Sequence, residues 1–109
     1  MTIYNATAIP EEELRQEFTI PESKKVIPPY PGIGEIFMYK DNELSNRSLV
    51  QRIEEIVKDA LKHNADSAII SGDDLVCGLF EREFEMHGIA TSFINYWSSQ
   101  KEVENARPL

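Results

Sequence analysis

Apolar residues recur along this chain at two different periods, and the alternation between them predicts the fold. Thr2 to Ala8, rich in Thr, Ile and Tyr, predicts a short first strand. Pro10 ahead of Glu11-Glu12-Glu13 marks a helix start, with proline at the first turn and acidic residues facing the positive end of the helix dipole. That helix covers Glu11 to about Phe18 and is too short to persist without packing. Glu35 to Lys40 predicts a strand ended by Asp41-Asn42. Leu49, Val50, Ile53, Ile56, Val57, Ala60 and Leu61 then draw one apolar stripe at helical spacing, with Ser45 or Asn46 as its cap and Asn64 suited to a left-handed end.

The second half is more regular. Ser67 to Ser71 is almost wholly apolar without alternation, the pattern of an interior strand covered on both faces. After Gly72-Asp73-Asp74 a helix runs to Gly88, with Leu75, Val76, Leu79, Phe80 and Phe84 toward the sheet and Glu81, Arg82 and Glu85 toward water. Ile89 to Trp97 forms the last strand, and the polar tail beyond Ser98-Ser99 has room for one helical turn from Lys101 to Asn105. Asn64 to Trp97 thus reads as a single right-handed crossover unit. Strands alternating with helices of these lengths predict an α/β fold: one small three-layer Rossmann-like domain over residues 1–109, with a mainly parallel four- or five-stranded sheet. A sheet this small leaves an edge or a face open, which leads us to expect a homodimer.

Pro21 to Gly34 fits neither period. Pro21, Pro28, Pro29 and Pro31, followed by Gly32 and Gly34, remove backbone donors and forbid helix. The segment reads as a surface loop or extended arm. Its functional reading is a lid or a partner-binding arm, with Val26, Ile27 and Tyr30 available to bury against a neighbour.

Composition narrows the functional classes. No apolar stretch in the 109 residues approaches the roughly 18 needed for a membrane span. Met1 to Asn5 lacks the basic-then-hydrophobic order of a signal peptide, so a cytoplasmic protein without membrane contact is expected. The net charge of -8 argues against binding duplex nucleic acid through its backbone. A small anionic ligand remains compatible with it, needing only a few backbone N–H groups and one or two cations. Cys77, the single cysteine, sits among apolar helical positions and reads as a small core residue.

Two candidate sites follow from the predicted order. At the strand-to-helix turn, Ser71, Gly72 and Asp73 could let a ligand approach the backbone and bond the free N–H groups of the helix start. Asp73 or Asp74 is equally an ordinary N-cap, and two carboxylates repel an anion. Along the same rim the first strand offers Asn5 and Thr7, and the last offers Ser98, Ser99 and Lys101, which suit a sugar or a phosphate or else are solvated turn residues. Tyr96 and Trp97 could stack on a base or serve as core or dimer contacts. His63 and His87 end their helices with no Cys, His or Glu at metal-ligand spacing, so neither metal nor cofactor is expected. No Walker pattern, catalytic triad or Cys-His pair can be assembled, and catalytic residues stay unassigned.

The run Ala68-Ile69-Ile70-Ser71-Gly72-Asp73-Asp74, the helix to His87-Gly88-Ile89 and the strand closing on Trp97-Ser98-Ser99-Gln100-Lys101-Glu102 resemble small CRISPR-associated Rossmann-like proteins of the CARF and ring-nuclease type. Ile3-Tyr4-Asn5-Ala6-Thr7 is similar to the opening strand of such proteins. The resemblance covers about half of the chain. It implies a nucleotide second messenger, such as a cyclic oligoadenylate, bound across a dimer interface in antiviral defence or viral counter-defence. In ring nucleases it further implies metal-independent phosphodiester cleavage, the messenger's own 2′-hydroxyl attacking while the protein orients it and stabilises the oxyanion. Carried over, Ser71, Gly72 and Asp73 lie beneath the ligand, with Asn5, Thr7, Ser98, Ser99 and Lys101 around it. This chain departs from the pattern in the second carboxylate, Asp74, in the late position of Lys101 and in the segment from Pro21 to Gly34. A phage-encoded protein that only sequesters the messenger has the same features. The alternative is a small acidic interaction or regulatory protein, of a kind a phage could also encode, that acts through a protein partner.

Overall fold

The computed structural model describes residues 1–94, and the expectations for Trp97, Ser98, Ser99 and Lys101 lie outside them. At its centre β1 (Thr2–Ala6) pairs in parallel with β2 (Lys25–Ile27) on one edge and with β3 (Ser67–Ile70) on the other, and β4 (Ala90–Phe93) continues from β3. The strand order is β2-β1-β3-β4, an all-parallel α/β sheet of the small Rossmann-like kind.

Parallel neighbours cannot be joined by a tight turn, so each connection crosses a face of the sheet. The first carries α1 (Glu11–Glu17), whose Leu14 packs with Ile3, Val26 and Ile69 on one face. The second carries α2 (Gly34–Phe37) and α3 (Asn46–Lys62), and the third carries α4 (Asp74–Met86). On that opposite face Leu49, Ile53, Ile56, Phe80 and Phe84 cover Tyr4, Ala6, Ala68 and Ile70. The chain reverses both direction and face between the first crossover and the other two, so all of them share one hand. The layers are therefore three, as the alternating pattern predicts.

Local chemistry sets the helix ends. Ser45 caps α3 by accepting from the Ser48 N–H at 3.1 Å, and Asn64 turns the chain out in the left-handed region at φ 57°. Arg15 ties the short α1 to the following loop: its guanidinium bonds the Glu11 carboxylate and donates to the carbonyls of Pro21 and Lys24. Tyr4 is buried in mid-strand, and its hydroxyl donates to Asp59 on α3 at 2.7 Å. Burial and then the Asp59 carboxylate push that phenol well above its ordinary titration range, so it stays a donor.

Three expectations are corrected. Glu35 to Lys40 is not a strand: Gly34–Phe37 is helical, and the Met38 N–H closes a helical turn on the Gly34 carbonyl at 3.1 Å. A short apolar run cannot be assigned by periodicity alone, and here the sheet position is already filled. It is filled from within the Pro-rich segment, where Lys25–Ile27 forms β2; an edge strand tolerates the flanking Pro21 and Pro28. Val26 and Ile27 are consequently core residues of this chain. Leu75 faces outward and is 41% exposed, because the buried face of α4 runs through Val76, Cys77, Phe80 and Phe84 and Leu75 lies on the other side of the helix. Among the described residues no helix is long and apolar enough to cross a membrane.

The two sides of α4 should differ sharply in a urea-unfolding comparison. Phe84→Ala removes a fully buried ring stacked on Phe80 and should cost about 3–5 kcal/mol. Leu75→Ala should stay within about 0.5 kcal/mol of the parent.

Candidate functional site

The chain moves outward from β1 to β2 and then returns past β1 to β3, so the order reverses between β1 and β3. Open α/β sheets form a crevice at such a switch point, outside the carboxyl ends of the strands. In this protein that position falls between the segment after Ala6 and the turn from Ser71 to Asp74.

The β1 side is knotted into itself. Asn5 and Thr7 are both fully buried. The Asn5 amide donates to the Ile9 carbonyl at 2.9 Å, while its Oδ1 accepts from the Thr7 N–H at 3.0 Å and from the Thr7 hydroxyl at 2.5 Å. The Thr7 Oγ1 in turn accepts from the Ile9 N–H at 2.9 Å. These bonds satisfy the polar groups that turn the chain from β1 toward α1, as burial requires. Asn5 and Thr7 thus shape the rim from beneath.

The β3 side is more open. Gly72 has φ +119°, a conformation that side chains rarely adopt. A Cβ there would stand 2.9 Å from Val76 Cγ1 and 3.3 Å from Phe37 Cδ1, so the glycine is required by close packing as well. Asp73 is the N-cap of α4, and its Oδ1 accepts from the Val76 N–H at 2.9 Å. Its Oδ2 accepts from the Tyr39 hydroxyl at 2.8 Å. Burial by itself would raise the Asp73 pKa, but the Val76 N–H, the Tyr39 hydroxyl, the Lys40 charge and the Leu75 N–H together hold it below the ordinary carboxylate value. The same bond acts in the opposite direction on its donor: chiefly through Asp73, the Tyr39 phenol is raised.

Between these engaged groups lies a free set. The N–H groups of Gly72, Asp73 and Asp74 make no hydrogen bond among the described residues, and neither does the Ser71 hydroxyl. Asp74 is exposed on the same turn. Cys77 is buried beneath it, its thiol donating to the Gly72 carbonyl at 3.4 Å and pushed up to about 11 by burial and by Glu81, Asp73 and Asp74, so it remains a neutral packing group. Among the described residues no cluster of three or more His, Cys, Asp and Glu could hold a metal ion.

Comparison with protein-family models, curated proteins and solved structures finds no match to this chain. The site is therefore described by its own geometry. The structure brings Ser71, Gly72 and Asp73 to one rim with the turn that Asn5 and Thr7 organise, while Ser98, Ser99 and Lys101 lie outside the described residues. Two contributors have no signal in the sequence: Phe37 and Tyr39 reach the turn only because the segment expected as a strand is helical and lies over it.

Replacing the cap tests this account. Asp73→Ala should lower stability by about 1 kcal/mol at neutral pH. The depressed pKa of Asp73 means that the carboxylate contributes fully above its unfolded value of 3.8 and is lost as pH falls through the lower folded value. Asp73→Asn keeps a capping oxygen, so it should hold most of the neutral-pH stability and lose less than the parent on acidification. Denaturant midpoints measured from neutral to strongly acidic pH decide the matter.

Proposed function

We propose that the protein binds a nucleotide second messenger of the cyclic-oligonucleotide class in the crevice between β1 and β3. In this reading it acts in the cytoplasm, in antiviral defence or its viral counter-defence. The observation that carries the reading is the set of donors at the β3–α4 turn that bond nothing among the described residues: the N–H groups of Gly72, Asp73 and Asp74 beside the Ser71 hydroxyl, at the switch point of a parallel sheet. A phosphate oxygen takes the N–H groups, and the Asp74 carboxylate accepts from ribose hydroxyls or base amino groups. Asp73 opposes the anion less than an isolated carboxylate would, because its two oxygens already bond Val76 and Tyr39. Its neighbour Lys40 adds positive charge.

The resemblance to CARF and ring-nuclease proteins supports the same ligand class and a second copy of the chain across it. Cleavage on this rim would use the messenger's 2′-hydroxyl as nucleophile, with the turn's N–H groups as oxyanion donors. Binding requires only the donors themselves.

A thermal-shift series against linear and cyclic oligoadenylates, with chromatography of each mixture, tests the proposal. A ligand at about a hundred times its Kd adds about 2.7 kcal/mol, enough to raise the Tm of a domain of this size by roughly 10 °C or more. Ser71→Ala should weaken that ligand by roughly 2- to 10-fold without moving the unliganded transition far. A transition unmoved by every nucleotide up to millimolar concentration overturns the reading, and a new product separates cleavage from sequestration.

A further inference from the structure

A second concavity lies between the Tyr30–Ile36 segment, which follows β2, and the first half of α3. Its volume is about 540 Å³, within the range of roughly 300–1,000 Å³ common for ligand sites. Ile33, Ile36 and Ile56 are buried and form an apolar floor. Tyr30, Glu35, Arg52 and Glu55 are among the other lining residues. The Arg52 guanidinium donates to the Glu35 carboxylate and joins the two walls, so the one cation of the lining is already neutralised. Glu55 is exposed and forms no ion pair among the described residues.

We propose that this groove docks a lysine-bearing segment of a partner protein. An apolar floor takes the methylene stem of a lysine, the Glu55 carboxylate pairs with its ammonium group, and the Tyr30 ring offers a cation–π surface. Anionic partners meet two carboxylates in the lining and no free cation. The net charge of -8 steers basic segments toward the whole molecule, and the groove supplies the local fit. Glu35 becomes a second acceptor when a lysine displaces Arg52, which makes the Arg52–Glu35 pair a competitor of the ligand. The site shares no residue with the Ser71–Asp74 turn, so it is independent of the messenger proposal.

Fluorescence anisotropy with a labelled Gly-Lys repeat peptide tests the inference, using the whole chain and a Gly-Glu repeat as control. The Gly-Lys peptide should bind and the Gly-Glu peptide should not. Glu55→Gln should weaken binding about tenfold, Arg52→Gln should tighten it several-fold by freeing Glu35, and Ser71→Ala should leave it unchanged. Glu85→Gln, an equal loss of charge on α4, measures general attraction to an acidic surface and should have little effect. The proposal fails if the Gly-Lys peptide does not bind, if Glu55→Gln binds as tightly as the parent, or if Glu85→Gln weakens binding as much as Glu55→Gln does. Circular dichroism of each variant checks that the fold is intact.

Discussion

β1 is hydrogen-bonded along both edges by strands that run in its own direction, and that pairing constrains everything around it. Neither neighbour can be reached by a hairpin, so the chain must cross one face to reach β2 and the other to return to β3. Both faces of β1 are thereby covered, and successive residues enter different cores: Ile3 meets Leu14 beneath α1, and Tyr4 meets the α3–α4 layer. The same pairing aligns all the strand carboxyl ends on one rim. A buried polar side chain in such a strand must find its partners locally, and Asn5 does so with Thr7 and Ile9 as the strand ends.

The rim divides its polar groups between structure and chemistry. On the β1 side the Asn5 amide and the Thr7 hydroxyl are both engaged within the turn, which fixes the rim but presents little to a ligand. On the β3 side the Asp73 carboxylate caps α4 and accepts from Tyr39, while the N–H groups of Gly72, Asp73 and Asp74 bond nothing among the described residues. Gly72 is demanded by its positive φ and by the packing of Val76 and Phe37. A substitution there would disturb the fold before it reported on a ligand, whereas Ser71 changes the chemistry with little change of shape.

Long periodic segments were legible in the sequence because their own spacing encodes the buried face: in the stripe from Leu49 to Leu61 the positions Leu49, Ile53, Ile56, Val57 and Ala60 are buried while Leu61 is exposed, and the run from Ser67 to Ser71 is a strand as far as Ile70. The candidate turn was legible for the same reason, since a strand and a helix of clear period bracket Gly72 and Asp73. Segments whose structure is set by distant partners were not. β2 is three residues long among prolines, and only the open edge of β1 makes it a strand. α2 carries four residues without a side-chain cap, too few for a period to show. Ile36 and Phe37 become interpretable only once α3 and the β3–α4 turn are present to receive them.

That short helix is also the wall between the two concavities. On one side Phe37 lies against Gly72, and Tyr39 just beyond the helix bonds Asp73; on the other, Glu35 bonds Arg52 across the groove. A helix of four residues has too little internal bonding to stand alone, so these contacts and the burial of Ile33 and Ile36 hold it in place. Substitution of Tyr39 or Glu35 therefore perturbs the wall itself and reads on both cavities at once. Glu55 lines the groove and Ser71 does not. A defect confined to one of these two positions reports on one cavity alone, which makes the crevice and the groove separable by experiment even though they share a boundary.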